Sequence, residues 1–125
     1  MQYLLVFVGG GLGSLLRYGI ARGMAGYDFT FPYATLAANI LSCIVLGFFV
    51  AWSLKIGIND GKKLFFMVGL CGGFSTFSTF SNETFSLFET GNYAYAFANI
   101  LGSVVVCLLA IYIGIKLGLL VHRVY

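Results

Sequence analysis

Charge is what this sequence has least of. Among 125 residues only seven are basic and four acidic, 9% in all, while 60% are hydrophobic and the mean hydropathy is +0.97. A soluble domain carries about a quarter charged residues. A chain this poor in charge has no polar outer shell for water, so a soluble fold is excluded. The net charge of +3 is small and scattered, which excludes a nucleic-acid surface, and no nucleic-acid partner is expected. Histidine occurs once, at His122, three residues from the end, so a histidine-based zinc site is not expected. Cys43, Cys71 and Cys107 stand singly in apolar stretches, without the spacing of a disulfide framework or a metal site. No histidine or lysine base lies within plausible reach of the serines and threonines, so nucleophilic catalysis has no support and no enzyme is expected. The first apolar run lacks a basic n-region and continues into glycine-rich sequence, so no cleavable signal is expected.

What the chain does have is apolar length. A helix that crosses the hydrocarbon needs about 20 mostly apolar residues, and four segments qualify: Tyr3–Ile20, Pro32–Leu54, Leu64–Phe88 and Tyr93–Val121. The fold class predicted is all-α and integral to the membrane, a single four-helix domain over residues 1–125, with Pro32 in the first turn of the second span. The runs are too long and do not alternate, which excludes β-barrel strands. The links Ala21–Phe31, Lys55–Lys63 and Glu89–Asn92 hold most of the remaining charge. Lys55, Lys62, Lys63, Lys116 and Arg123 fall on the side of the termini, against Arg17 and Arg22 on the other, a bias toward cytoplasmic termini. Glycines four apart recur at Gly9/Gly13, Gly19/Gly23, Gly69/Gly73 and Gly114/Gly118, a pattern that lets helix backbones approach within or between chains. Gly9 to Ser14 also looks like a dinucleotide fingerprint, but Ser14 replaces its last glycine and no βαβ context follows.

Polar groups at membrane depth carry the functional signal. Thr35, Asn39 and Ser42 share one face of the second span. Asn39, seven residues past Pro32, lies roughly 10 Å deep at about 1.5 Å per residue. Tyr95, Asn99, Ser103 and Cys107 form a stripe on the fourth. Both sets admit two readings, hydrogen bonding between helices or the lining of a polar path. The third span reads GLCGGFSTFSTFSNE from Gly69 to Glu83. Its paired glycines and its hydroxyls predict a helix broken in mid-membrane near Gly72-Gly73. Freed carbonyls there suit a small hard cation, and hydroxyl and amide donors suit an anion. Beyond the break Ser75, Thr79, Asn82 and Ser86 make a polar stripe, with Phe77 and Phe80 opposite. Ring edges are positive and assist an anion when aimed at its path. Arg17 and Glu83, near the ends of their spans, are the remaining ionisable candidates: Arg17 as a collector of anions, Glu83 as a repellent unless neutral, paired or turned away.

The run from Gly72 to Ser81 closely resembles the signature of the Fluc (CrcB) fluoride channels. Gly13-Ser14-Leu15-Leu16-Arg17-Tyr18, the approach from Pro32 through Thr35 to Asn39, and the four-span length agree with that family in order and spacing. The resemblance implies passive export of fluoride from the cytoplasm, relieving its toxicity, through two pores of an antiparallel dual-topology dimer in the plasma membrane. It implies that Phe77 and Phe80 are pore rings, that Asn39, Ser78 and Thr79 offer donors to the ion, and that Arg17 and Glu83 flank the vestibule. It also implies that the backbone carbonyls of Gly72 and Ser75, from both subunits, hold a structural sodium ion at the dimer interface. Asn99 and Ser103 stand where many members carry tyrosine and another polar residue, and Phe74 where many carry leucine; Asn99 and Ser103 are kept as pore candidates. A homodimer is expected, with a heterodimer of oppositely inserted sister subunits as the arrangement that would explain the charge bias. Membrane lipid is the surrounding partner. The alternative is a small multidrug-type four-helix antiporter, a class that depends on an acidic residue in its first helix, and Met1 to Leu16 contains none. A non-transporting assembly subunit would explain the glycines but not the clustered hydroxyls.

Overall fold

The structure, a computed structural model, describes residues 1–121; His122 and Arg123 lie outside the described residues. Within them every regular element is helical. Helix α1 is Gln2–Met24 and α2 is Tyr33–Lys55. The third span is two helices: α3 over residues 60–74, and α4 over Phe77–Glu89. Helix α5 is Tyr93–Val121. All four spans, with Asp60–Glu89 counted as one, are long and apolar enough to cross a membrane. The spans run longer than the sequence predicts at several ends: α1 continues past Ile20 to Met24 and carries Arg17 and Arg22, and α3 begins at Asp60. The Asn59 side chain caps that start, accepting from the Lys62 amide at 2.9 Å. The turns before α3 and α5 pass through Gly57 and Gly91, both at positive φ, where a side chain would be strained.

Two close helix pairs make the body. Helix α1 lies on α3, where a methyl added to Gly69 would stand 3.0 Å from the Gly9 Cα, and one added to Gly13 would stand 2.7 Å from the Phe74 nitrogen. Helix α2 runs parallel to α5, where a methyl on Gly47 would reach the Ile111 carbonyl and come within 2.9 Å of the Ile115 nitrogen. Such contact maximises dispersion where lipid removes the hydrophobic drive between helices. Three of the four glycine pairs named in the sequence therefore pack inside the chain. Gly19 and Gly23 have nothing within 4 Å.

The break sits three residues later than the glycines suggest. Gly72 and Gly73 are still helical, and the backbone leaves the helix at Ser75 (φ −76°, ψ 155°) and Thr76 (φ −150°, ψ 120°). Gly73 is small because α1 lies against it: a methyl there would fall 2.9 Å from both the Gly10 carbonyl carbon and its Cα. Upstream of the break, Lys63–Leu70 is π-helical, a wider winding that no sequence signal marks.

Candidate functional site

An extended dipeptide at membrane depth must find partners for its backbone, and side chains from two other helices, α1 and α2, supply them at and beside the break. The Thr76 amide donates to Asn39 Oδ1 at 2.8 Å, while Asn39 Nδ2 donates to the Thr76 carbonyl at 3.4 Å. One primary amide thus closes around the backbone N–H and C=O of one residue, and its second N–H hydrogen is left over. From α1, Arg17 Nε donates to the Gly73 carbonyl at 3.2 Å, and Ser14 Oγ lies 3.5 Å from the same oxygen. The Cys71 carbonyl accepts from Ser42 Oγ and Ser75 Oγ, each at 2.9 Å. Thr76 then starts α4, its Oγ1 accepting from the Thr79 amide at 3.2 Å. Thr76 as N-cap is the residue that sequence reasoning missed here; a threonine three residues before Thr79 at a helix start is its signal.

These bonds set two opposite poles face to face. Helix α3 ends in carbonyls whose usual partners four residues on are diverted: the Thr76 amide goes to Asn39 and the Thr79 amide to Thr76 Oγ1. The Gly72 and Ser75 carbonyls belong to this negative pole. Gly72 is exposed, with nothing within 4 Å of a methyl placed on it, so its backbone is open to approach. Oxygen donors of this kind fit a hard cation of low charge, although one chain alone offers too few to enclose it. On the other side α4 opens with the amides of Phe77 and Ser78 uncommitted, a positive pole that favours an anion.

Beside the break is a cavity of about 270 Å³. Asn39 and Cys43 enter it from α2, Phe77 and Phe80 from α4, and Ser103 and Cys107 from α5. The two rings stand 5.6 Å apart, tilted by 36°. Phe77 is 78% exposed, on a face left largely uncovered by the described residues. Thr76 Oγ1 donates to Thr79 Oγ1 at 3.1 Å, which leaves the Thr79 hydrogen to donate onward, and Ser78 Oγ lies 3.4 Å from Thr76 Oγ1. Further along α4 a second cavity of about 380 Å³ takes in Asn82, Glu83 and Ser86. There Thr35 Oγ1 donates to Glu83 Oε1 at 2.8 Å, and Glu83 Oε2 is buried without a partner.

The sequence-derived candidates therefore separate into groups. Asn39, Phe77, Phe80 and Ser103 share the first cavity, with Thr79 and Ser78 on the adjoining turn. Arg17 holds the Gly73 carbonyl, and Glu83 borders the second cavity. Asn99 is 1% exposed and lies behind Ser103: its Nδ2 donates to Thr84 Oγ1 at 2.8 Å, and its Oδ1 accepts from Ser103 at 3.2 Å. Thr84 in turn donates to the Phe80 carbonyl at 2.7 Å. Thr84 was not a sequence candidate; it ties α5 to the turn of α4 that carries Phe80.

A family profile described as "CrcB-like protein, Camphor Resistance (CrcB)" matches residues 4–115. A protein of Phocaeicola vulgatus named Fluoride-specific ion channel FluC is 47% identical over 113 residues, 90% of this chain and 93% of that one. Proteins of the same name from Elusimicrobium minutum and Methanocaldococcus jannaschii are 40% and 43% identical, covering 92% and 98% of this chain and 91% and 98% of their own lengths.

Proposed function

The chain belongs to the CrcB family, and on that footing we propose that it is a fluoride-selective channel that lets fluoride leave the cytoplasm passively. The observation that carries the reading is the break at Ser75-Thr76, where a helix opens its amide end into a cavity edged by two phenylalanine rings. Fluoride is compact and strongly hydrated, so a path must replace its water with donors without holding it too tightly to leave. The spare hydrogen of Asn39, the Thr79 and Ser78 hydroxyls and the ring edges of Phe77 and Phe80 are donors of that kind. Ser103 borders the path with its hydroxyl oxygen, its hydrogen being given to Asn99 Oδ1 behind it. The polar stripe toward Asn82 and Ser86 extends the path, with Thr35 engaging one oxygen of Glu83. Arg17 serves the site by bracing the break as well as by its charge. Relatives named as ion channels favour this reading over the four-helix antiporter and over any enzyme. Four spans make the chain a multi-pass protein of the cell membrane.

The working unit is a dimer. Ser78, Ser81 and Asn82 are exposed on the isolated chain at or near the broken span, where lipid would leave them unsatisfied. A second, antiparallel copy covers them and brings its own Gly72 and Ser75 carbonyls to complete a sodium cage, giving two pores per pair. Purified alone, the chain should run as a dimer by light scattering in detergent. A monomer that pairs only when a sister gene product is added would replace the homodimer with a heterodimer.

The function is tested by fluoride efflux from liposomes holding the purified protein, with chloride as control. Rapid fluoride loss with little chloride loss is expected, and Phe80→Met should bring fluoride loss down toward the protein-free rate. Equal loss of chloride would show that the path does not select fluoride.

A further inference from the structure

Two cysteines in the first cavity have no part in the fluoride reading. Cys43 lies one helical turn beyond Asn39 on α2, and Cys107 one turn beyond Ser103 on α5. The two helices run parallel and meet where Gly47 touches the Ile111 carbonyl, each one turn further along. That register sets Cys43 opposite Cys107, both on the wall of the same cavity. Both thiols are free, neither side chain is fully buried, and both border the cavity that holds Phe80. Cys71, by contrast, is buried. Among the described residues no three His, Cys, Asp or Glu side chains gather to hold a metal, so a four-coordinate zinc site is not available.

We propose that Cys43 and Cys107 form a two-thiolate site for a soft, two-coordinate d10 cation of the mercuric, silver or cuprous kind, seated in the cavity beside Phe80. Thiolate sulfur selects such cations, and a facing pair supplies the linear geometry they accept. The metal reaches membrane depth as a neutral species such as mercuric chloride. Two Hg–S bonds form, two Hg–Cl and two S–H bonds break, and two chlorides and two protons leave; no electron is transferred. A cation so held would fill the cavity on the route proposed for fluoride.

Titration of the full-length protein in detergent with mercuric chloride, followed by the ultraviolet sulfur-to-mercury absorption, should saturate at one ion per chain and consume two of three thiols. Cys71→Ala should bind alike. Cys43→Ala and Cys107→Ala should each bind about a hundredfold more weakly against a competing monothiol, because the second ligand no longer comes preassembled. Unchanged binding in either variant, or consumption of all three thiols, overturns the site. In fluoride-loaded liposomes, efflux should be lost on adding mercuric chloride and return with dithiothreitol. Efflux that persists at saturating mercury overturns the placement in the cavity. The absorption measurement does not depend on fluoride passing, so the two readings fail separately.

Discussion

Asn39→Ala should reduce fluoride efflux to the rate of protein-free liposomes. Asn39 serves both backbone polar groups of Thr76, accepting from its amide at 2.8 Å and giving to its carbonyl at 3.4 Å. Alanine leaves both without that partner at membrane depth, in the wall of the cavity. Each orphaned group costs about 1–3 kcal/mol, and a loss of several kcal/mol is a large part of the stability of an ordinary domain. The backbone then has a cheaper course, which is to return the Thr76 amide to the Gly72 carbonyl and continue the helix. That course withdraws the free amides of Phe77 and Ser78 and turns both rings. The measurement is efflux normalised to reconstituted protein, with circular dichroism to show that the variant remains helical. Asn39→Asp is the informative companion, since its carboxylate accepts from the Thr76 amide but has no N–H for the carbonyl. Wild-type efflux in Asn39→Ala would mean that the break holds itself open.

The same bond explains why the site was only partly legible in the sequence. Four apolar runs of spanning length are a local property, and they emerge with ends shifted by a few residues. That a break occurs in the third span follows from its composition, and its place does not. Glycine pairs have two uses in a membrane helix, weakening it or letting another backbone approach, and one sequence does not separate them. Here Gly69 and Gly73 serve approach, to Gly9 and Gly10. The break moves to Ser75-Thr76 because partners for the opened backbone arrive from α1 and α2, at Arg17 and Asn39. Asn39 was visible as a costly residue at depth and Arg17 as an ionisable group near the end of its span, yet their targets lie 37 and 56 positions away. Thr84 and the facing pair Cys43 and Cys107 depend on helix register, which periodicity leaves undetermined. Phe77 and Phe80 were the clearest case, since a separation of three on one helix places them together without any tertiary information.

Gly73→Ala should be strongly damaging, as a methyl that strikes backbone on a neighbouring helix, and Gly72→Ala is its control. A methyl at position 73 would meet the Gly10 carbonyl oxygen, with the Gly10 carbonyl carbon and Cα both at 2.9 Å, and none of these atoms belongs to a side chain able to swing away. Helices α1 and α3 must separate, and overpacking of this kind costs about 1–3 kcal/mol, occasionally more. Separation also draws Arg17 and Ser14 off the Gly73 carbonyl, so the break loses its support from α1 along with the packing. The expected result is a lowered thermal midpoint in detergent together with lost efflux. At position 72 a methyl has nothing within 4 Å, so the chain's own fold should keep its wild-type helicity. Any effect there must come from outside the chain, and under the proposed sodium cage it would be weakened pairing of the two copies. Light scattering then separates the two glycines: Gly73→Ala damages the protomer, and Gly72→Ala leaves a sound protomer that associates poorly. Equal melting of the two variants would mean that α1 and α3 have slack the structure does not show.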